Sequence, residues 1–414
     1  MSRPFRHQLK DVLNSLKVTQ RELLEHDHVT RGVFTSVDDL QPRLVRASRT
    51  RSPLSWLWEI NLDTLNTKLE AELKSFKVGY CYMLKSDGAL VHGRSSGFAQ
   101  LEDDGEVGWA YHVPMNVCSL SKFITAMATI KLLPSAGIFP TTKISSYLPD
   151  YWNPGTNVSN ITFRDLLRHE SGLGGSFNMG GNFSSGPGDF VTTRQQVELG
   201  STGTGSADYK NLNFTLLRVL FATLTGTLAT DFQVTGGVSE DTVWDYASAM
   251  AYCNYVNDNI FAAASIAPRG FKPDDIAAKA YGTPPAAPGV REENATSEAG
   301  STGWHLSLGE LTRLLHEFRR GGSIMSPRQA ERLMSNLYGL DGAEDMTVGP
   351  VYRKNGRYND GGTHTMDTVI YLMPNNTELA IYINSGPGNG PTQATYLARI
   401  PQLIRESIEL RFSL

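Results

Sequence analysis

Ser119 and Lys122 are the first pair of side chains that could do chemistry together. They stand three positions apart in Ser119-Leu120-Ser121-Lys122, at the head of an apolar run through Phe123, Ile124, Met127, Ala128 and Ile130 to Leu133. That run reads as a helix, closed by Pro134 and Gly137. Residues three apart at a helix start share one face, and the positive helix end favours an anion on the serine oxygen. A lysine against so apolar a helix has a lowered pKa and can accept a proton. Ser119 is the only serine in the chain followed by lysine at this spacing. A second group is Tyr209-Lys210-Asn211. A phenol beside an ammonium can act as general base and then acid, and an asparagine amide can orient both lysine and substrate. A third is Asn359-Asp360-Gly361-Gly362-Thr363, where paired glycines let a strand edge approach a ligand. The N–H groups of Ser119 and Gly362 could together hold an oxyanion. Taken singly, the first is a short pattern, the second a packing aromatic and the third a plain β-turn.

The elements that must position these groups are readable from periodicity. Leu62, Leu65, Leu69 and Leu73 mark one face of a helix over Leu62 to Phe76. Val78 to Leu84 and Ala89 to Gly93 flank the turn residues Lys85 to Gly88 as a hairpin. Ile161 to Leu167 predicts a helix with Thr162 as its N-cap, and Leu212 to Leu224 predicts another. Between them Gly172 to Asp208 reads as one long polar loop, and Tyr281 to Gly303 as a second. A helix follows at Ser307 to Phe318. Asp367 to Met373 and Glu378 to Asn384 form a hairpin across Asn375-Asn376, and a last helix runs from Gln393 to about Leu410. The order predicts a sheet built from both ends of the chain with a helical insertion.

These landmarks together resemble the serine β-lactamase and penicillin-binding-protein-like superfamily, most of all class C β-lactamases and related esterases, D-amino-acid peptidases and acyltransferases. Ile144 to Pro149, His169-Glu170-Ser171-Gly172-Leu173, Ala299-Gly300-Ser301 and Leu308-Gly309-Glu310-Leu311 carry the resemblance beyond the three groups above. It runs from about residue 60 to the end. It implies an α+β fold of the β-lactamase/transpeptidase type: an antiparallel sheet flanked by helices beside an all-helical lobe. The implied division is an extension over 1–55, a sheet part over 56–125 and 300–414, and a helical, loop-rich part over 126–299. It implies Ser119 as nucleophile, Lys122 and Tyr209 as proton-transfer partners, Asn211 as orienting group, and Asn359, Gly361, Gly362 and Thr363 along the substrate and oxyanion edge. The family's third motif begins with Lys or His, and the position aligned with it here is Asn359. A neutral residue there attracts no carboxylate, so a neutral ester or amide is expected in place of a β-lactam or peptide C-terminus, with Arg353, Lys354 and Arg357 nearby as cations that could substitute.

Composition narrows the rest. With 40% hydrophobic and 19% charged residues in 414, the chain reads as an ordinary globular protein. With a net charge of -4 nothing suggests a nucleic-acid partner, and the scattered Arg43, Arg46, Arg49 and Arg51 do not supply the basic stripe of one. No window reaches the roughly 18 apolar residues of a membrane span. Cys81, Cys118 and Cys253 fit no metal or redox spacing and suit a reducing compartment, so a cytoplasmic protein is expected, with a trimmed leader left open. Cys118, next to Ser119, reads as packing. Gly93 to Gly97 matches the nucleophile-elbow pattern but has no helix after it. None of the nine histidines has metal-site spacing, and His169 is expected to support packing behind the site.

The expectation is a serine hydrolase acting on an ester or amide of a small-molecule or peptide-like acyl substrate, with no cofactor and no metal. An acyltransferase or transesterase, a β-lactamase or DD-peptidase of the same fold, and a non-catalytic binding or scaffold descendant are its rivals. Self-association stays open.

Overall fold

The computed structural model describes residues 57–76, 78–174, 189–234, 239–282, 285–359, 364–386 and 393–411. The expected extension over 1–55 lies outside them, as do Gly361, Gly362 and Thr363. Along the chain, β1 (Trp58–Ile60) leads into α1 (Leu62–Leu73), whose Asn61 side chain caps the Thr64 N–H at 2.9 Å. The hairpin β2 (Gly79–Ser86) and β3 (Ala89–Gln100) is followed by short β4 (Val107–Gly108) and β5 (Pro114–Asn116). Then come α2 (Ser121–Ser135), α3 (Phe163–Leu167), α4 (Phe190–Leu199), α5 (Leu212–Leu224) and α6 (Glu240–Val256). After them lie β6 (His305–Ser307), α7 (Leu308–His316) and α8 (Pro327–Ser335). The strands β7 (Gly342–Met346), β8 (Gly349–Asn359), β9 (Thr365–Met373) and β10 (Thr377–Ile383) precede α9 (Gln393–Arg405) and β11 (Ile408–Leu410).

Seven strands make one antiparallel sheet in the order β4-β3-β2-β10-β9-β8-β7. Both ends of the chain therefore meet at the β2–β10 pair. Strand alternation divides the apolar side chains between two cores. Tyr80, Tyr82 and Leu84 of β2 pack with Leu65, Leu69 and Leu73 of α1 and Ile400, Leu403 and Ile404 of α9. Cys81 and Met83 face the other way, into the larger core with Leu311, Leu314 and Leu315 of α7 and with Phe123, Ile124 and Met127 of α2. The helix α2 is buried around most of its circumference, as its largely apolar sequence requires, and α5 beside it likewise.

Two sequence expectations are corrected. The stretch from Gly172 to Asp208 is not loop throughout, because Asp189 caps α4 through Thr192 N–H at 2.9 Å. The last helix stops at Arg405, and residues 408–410 turn back as a strand against β1, a pairing no local signal announces. Thr162 is the N-cap of α3 as read, in a capping box closed by Asp165. Among the described residues no helix is long and apolar enough to cross a membrane.

Candidate active site

The nucleophile candidate sits on a tight turn. Cys118 adopts a left-handed φ of 51°, and its N–H donates to Asn116 Oδ1 at 2.8 Å. A non-glycine residue in that region carries strain that its surroundings must hold. They do so through β5, which pairs with β6, and through Val117 N–H, which donates to Trp304 O at 2.8 Å. Ser119 is half-buried, while Val117, Cys118 and Leu120 around it are buried. The Cys118 thiol is thus sealed in the core, and its burial pushes its pKa well up.

Lys122 is fully buried, and its Nζ donates to Ser119 Oγ at 3.1 Å and to Ser301 O at 2.9 Å. Burial lowers its pKa; Tyr209 pulls it back up, and the neighbouring Lys354 lowers it further. The Ser301 carbonyl belongs to a turn anchored from below by Arg218, itself fully buried. That guanidinium donates to Ser297 O at 2.6 Å and pairs with Asp245 at 2.8 Å. Gly300, with φ 93°, presses so closely on α5 that a Cβ would lie 2.5 Å from Phe214 O.

Tyr209 comes to this pair from the start of α5. Lys122 Nζ lies 5.1 Å and Lys354 Nζ 5.2 Å from its ring centroid. Burial would raise the phenol's pKa, but both ammoniums and hydrogen bonds with Ser119 and Lys122 outweigh it, and the net direction is down. Behind the ring His169 stacks at 4.4 Å between centroids. Its Nδ1 accepts from Lys210 N–H at 3.2 Å, and burial with the nearby cations holds it neutral. His169 is therefore a support for Tyr209, the packing role expected of it. Asn211 opens α5, its carbonyl receiving Phe214 N–H at 3.0 Å. The Lys210 ammonium turns to Asp208 at 3.3 Å.

Of the third group only Asn359 is among the described residues. The residue of β8 that meets the nucleophile turn is Gly356, where a Cβ would stand 2.3 Å from Val117 O and 2.9 Å from Ser119 N. Asn359 ends the strand three residues on, opposite Thr365. Gly356 stands two residues after Lys354, one of the three cations near Asn359, and Lys354 is buried on the same strand face as Gly356. Its Nζ pairs with Asp341 Oδ1, while Asp341 Oδ2 accepts Asn355 N–H at 2.8 Å. Burial disfavours the Lys354 ammonium, yet Asp341 and Tyr209 overcome it and raise its pKa. Because Asn355 N–H points away from β9, strand alternation aims Arg357 N–H from the same open edge, beyond the last β7 pairing at Arg353.

Sequence reading missed Ser301, Asp341 and Gly356 as site residues, and offered Lys354 only as one of three cations that could substitute near Asn359. The tripeptide Lys354-Asn355-Gly356 was itself a signal for Gly356; Ser301 and Asp341 act through contacts no local pattern reveals. Among the described residues no group of three or more His, Cys, Asp or Glu is gathered for a metal ion.

A seven-stranded antiparallel sheet with a buried Ser-x-x-Lys helix beside it is the β-lactamase/transpeptidase fold, a fold of serine hydrolases. The sequence profile of the Beta-lactamase family matches residues 79–400, and the chain belongs to that family. Among solved structures it is similar to a β-lactamase/D-alanine carboxypeptidase from Yersinia pestis: 16% identity, TM-score 0.61, covering 84% of this chain and 99% of that one. An octameric penicillin-binding protein homologue from Pyrococcus abyssi gives 17% identity and TM-score 0.58 over 83% and 78% of the two chains. A D-amino acid amidase from Ochrobactrum anthropi gives 15% and 0.57 over 83% and 96%. No curated protein matches the chain.

Proposed function

We propose that this protein is a serine hydrolase that cleaves an ester or amide through an acyl-enzyme on Ser119. The observation that carries the reading is the buried Lys122 ammonium, 3.1 Å from Ser119 Oγ. A buried lysine is costly unless it is paired or functional, and this one donates to the Ser119 hydroxyl and the Ser301 carbonyl and bonds the Tyr209 phenol.

In the proposed reaction Ser119 Oγ attacks the carbonyl carbon and its proton passes to the Tyr209 phenolate, whose charge Lys122 and Lys354 stabilise. The oxyanion is received by the N–H groups of Ser119 and Arg357. The C–O or C–N bond then breaks, and Tyr209 returns the proton to the leaving group. Water, activated the same way, releases the acid and restores Ser119. Asn211 and Asn359 are proposed to border the bound acyl group.

Intact-protein mass spectrometry after exposure to a fluorophosphonate and to a short activated ester tests this. The expected result is one adduct, absent in Ser119→Ala and strongly slowed in Lys122→Ala and Tyr209→Phe, by about 100-fold or more. An adduct that persists in Ser119→Ala, or none in the wild type, overturns it.

A further inference from the structure

Lys354 restores a cation to the nucleophile face of β8, and a cation there ought to draw anionic substrates. The contacts around Lys354 oppose that attraction. Of the three cations on β8, Arg353 and Arg357 lie on the opposite strand face by alternation, and Arg357 Nε stands 3.9 Å from Asp367. Lys354 alone faces Tyr209, and only 2% of its side chain is exposed. One oxygen of Asp341 pairs with its ammonium, and the other accepts Asn355 N–H at 2.8 Å. Asp341 is itself only 19% exposed, so water screens its charge incompletely. A serine or asparagine could satisfy a single backbone N–H at this position; what aspartate adds is the second acceptor and the negative charge.

We infer that Asp341 is a specificity-determining residue: its carboxylate neutralises Lys354 toward the substrate and biases the Ser119 site against acyl groups that carry a carboxylate. The inference rests on the hydrolase reading and deepens it by naming the substrate class, neutral acyl esters or amides. Of the two lysines that face the reacting atoms, Lys354 is the one with a carboxylate partner, Asp341. An incoming carboxylate therefore meets Lys354 with its charge already compensated, and it approaches the like charge of Asp341. Removing that one charge leaves Lys354 uncompensated, and attraction at such range in a partly buried site amounts to about tenfold in rate or more.

The test uses the full chain and two isosteric substrates that differ only in charge, the mono-4-nitrophenyl esters of adipic acid and adipamic acid. The expected wild-type result is a higher kcat/KM for the neutral adipamate ester. In Asp341→Asn the adipate-to-adipamate ratio should rise about tenfold, carried by the adipate ester. Asp341→Glu, which keeps the charge, should leave the ratio unchanged. A residue that only braced β8 would lower both substrates alike. Where Asp341→Asn lacks a cooperative thermal transition, Asp341→Ser is measured in its place. Wild type preferring the adipate ester, or a ratio within twofold of wild type in a folded neutral variant, overturns the inference while leaving the hydrolase reading intact. No turnover of either ester, or turnover that survives Ser119→Ala, overturns the hydrolase reading and the inference with it.

Discussion

Lys122 and Lys354, from a helix and a strand 232 positions apart in the chain, hold their ammonium groups 5.1 and 5.2 Å from the same Tyr209 ring centroid. The arrangement makes the phenol more acidic and makes each lysine sensitive to the other. Lys354 lowers the Lys122 pKa, and both lower that of Tyr209 against the opposing effect of its burial.

The pH profile reads this coupling directly. If the Tyr209 phenolate is the base, kcat/KM rises with pH as the phenol loses its proton. Lys354→Met removes a cation that favours the phenolate, so the rising limb should move to higher pH. An unmoved limb would assign the titration to a group other than Tyr209. Stopped-flow hydrolysis of a 4-nitrophenyl ester across the pH range measures it.

Gly356→Ala tests the close approach of β8. The added methyl meets backbone atoms, Val117 O at 2.3 Å and Ser119 N at 2.9 Å, which cannot swing aside as a side chain would. Strand or nucleophile turn must move, and a displacement near 1 Å at a reacting group costs about 100-fold in rate. Stability should fall by about 1–3 kcal/mol, as for other overpacked sites. Wild-type kcat/KM in this variant would show that Gly356 does not position Ser119.

Arg218→Met probes the floor beneath Lys122. It abolishes donors to Ser297 O and Asp245 and leaves those acceptors short of partners. Breaking a buried pair costs about 3–5 kcal/mol, and Asp245, 30% exposed, keeps some hydration, so about 3 kcal/mol is expected. Urea unfolding gives the figure, and a loss under 1 kcal/mol would remove Arg218 from this role.

His305 predicts an acid-side loss of stability. Burial is the main cause that lowers its pKa from 6.5 to about 4, so the unfolded chain binds a proton the folded chain refuses. Stability contributed by the neutral ring is present above pH 6.5 and is lost as pH falls toward 4, on the order of 3 kcal/mol in all. Glu292, raised by burial to about 7, works in the opposite sense over part of this window. The comparison of wild type with His305→Gln isolates the histidine: the variant's Tm should fall less between pH 7 and 4.5. Parallel Tm curves would refute it.

The elements legible in the sequence are those whose pattern is pure. The helix α5 was expected over Leu212 to Leu224 and has those bounds, because leucine, phenylalanine, valine and alanine dominate it. The β9–β10 hairpin was visible from its apolar runs and the Asn375-Asn376 turn, both residues of which take positive φ. The strand β8 was overlooked because Lys354, Asn355, Arg357 and Asn359 interrupt its alternation. Those interruptions mark where the strand leaves β7 and faces the nucleophile turn. The same residues that make it part of the site disguise it as a strand. Ser119, Lys122 and Tyr209 are brought together; the close approach of Gly356 to the nucleophile turn, a lone glycine in a polar run, carried no local signal beyond the tripeptide Lys354-Asn355-Gly356 itself.

The carbonyl of Ser301 that receives Lys122 joins segments 179 residues apart, and Gly356 against Ser119 N joins another such pair. None of these contacts can form until distant stretches of chain have docked, and closing such long loops is a late, slow step in folding. A chain that has formed its helices but not seated β8 holds Ser119 as an ordinary alcohol. Covalent capture of that serine would therefore count fully native molecules in a refolding mixture, one adduct for each, where circular dichroism counts helices.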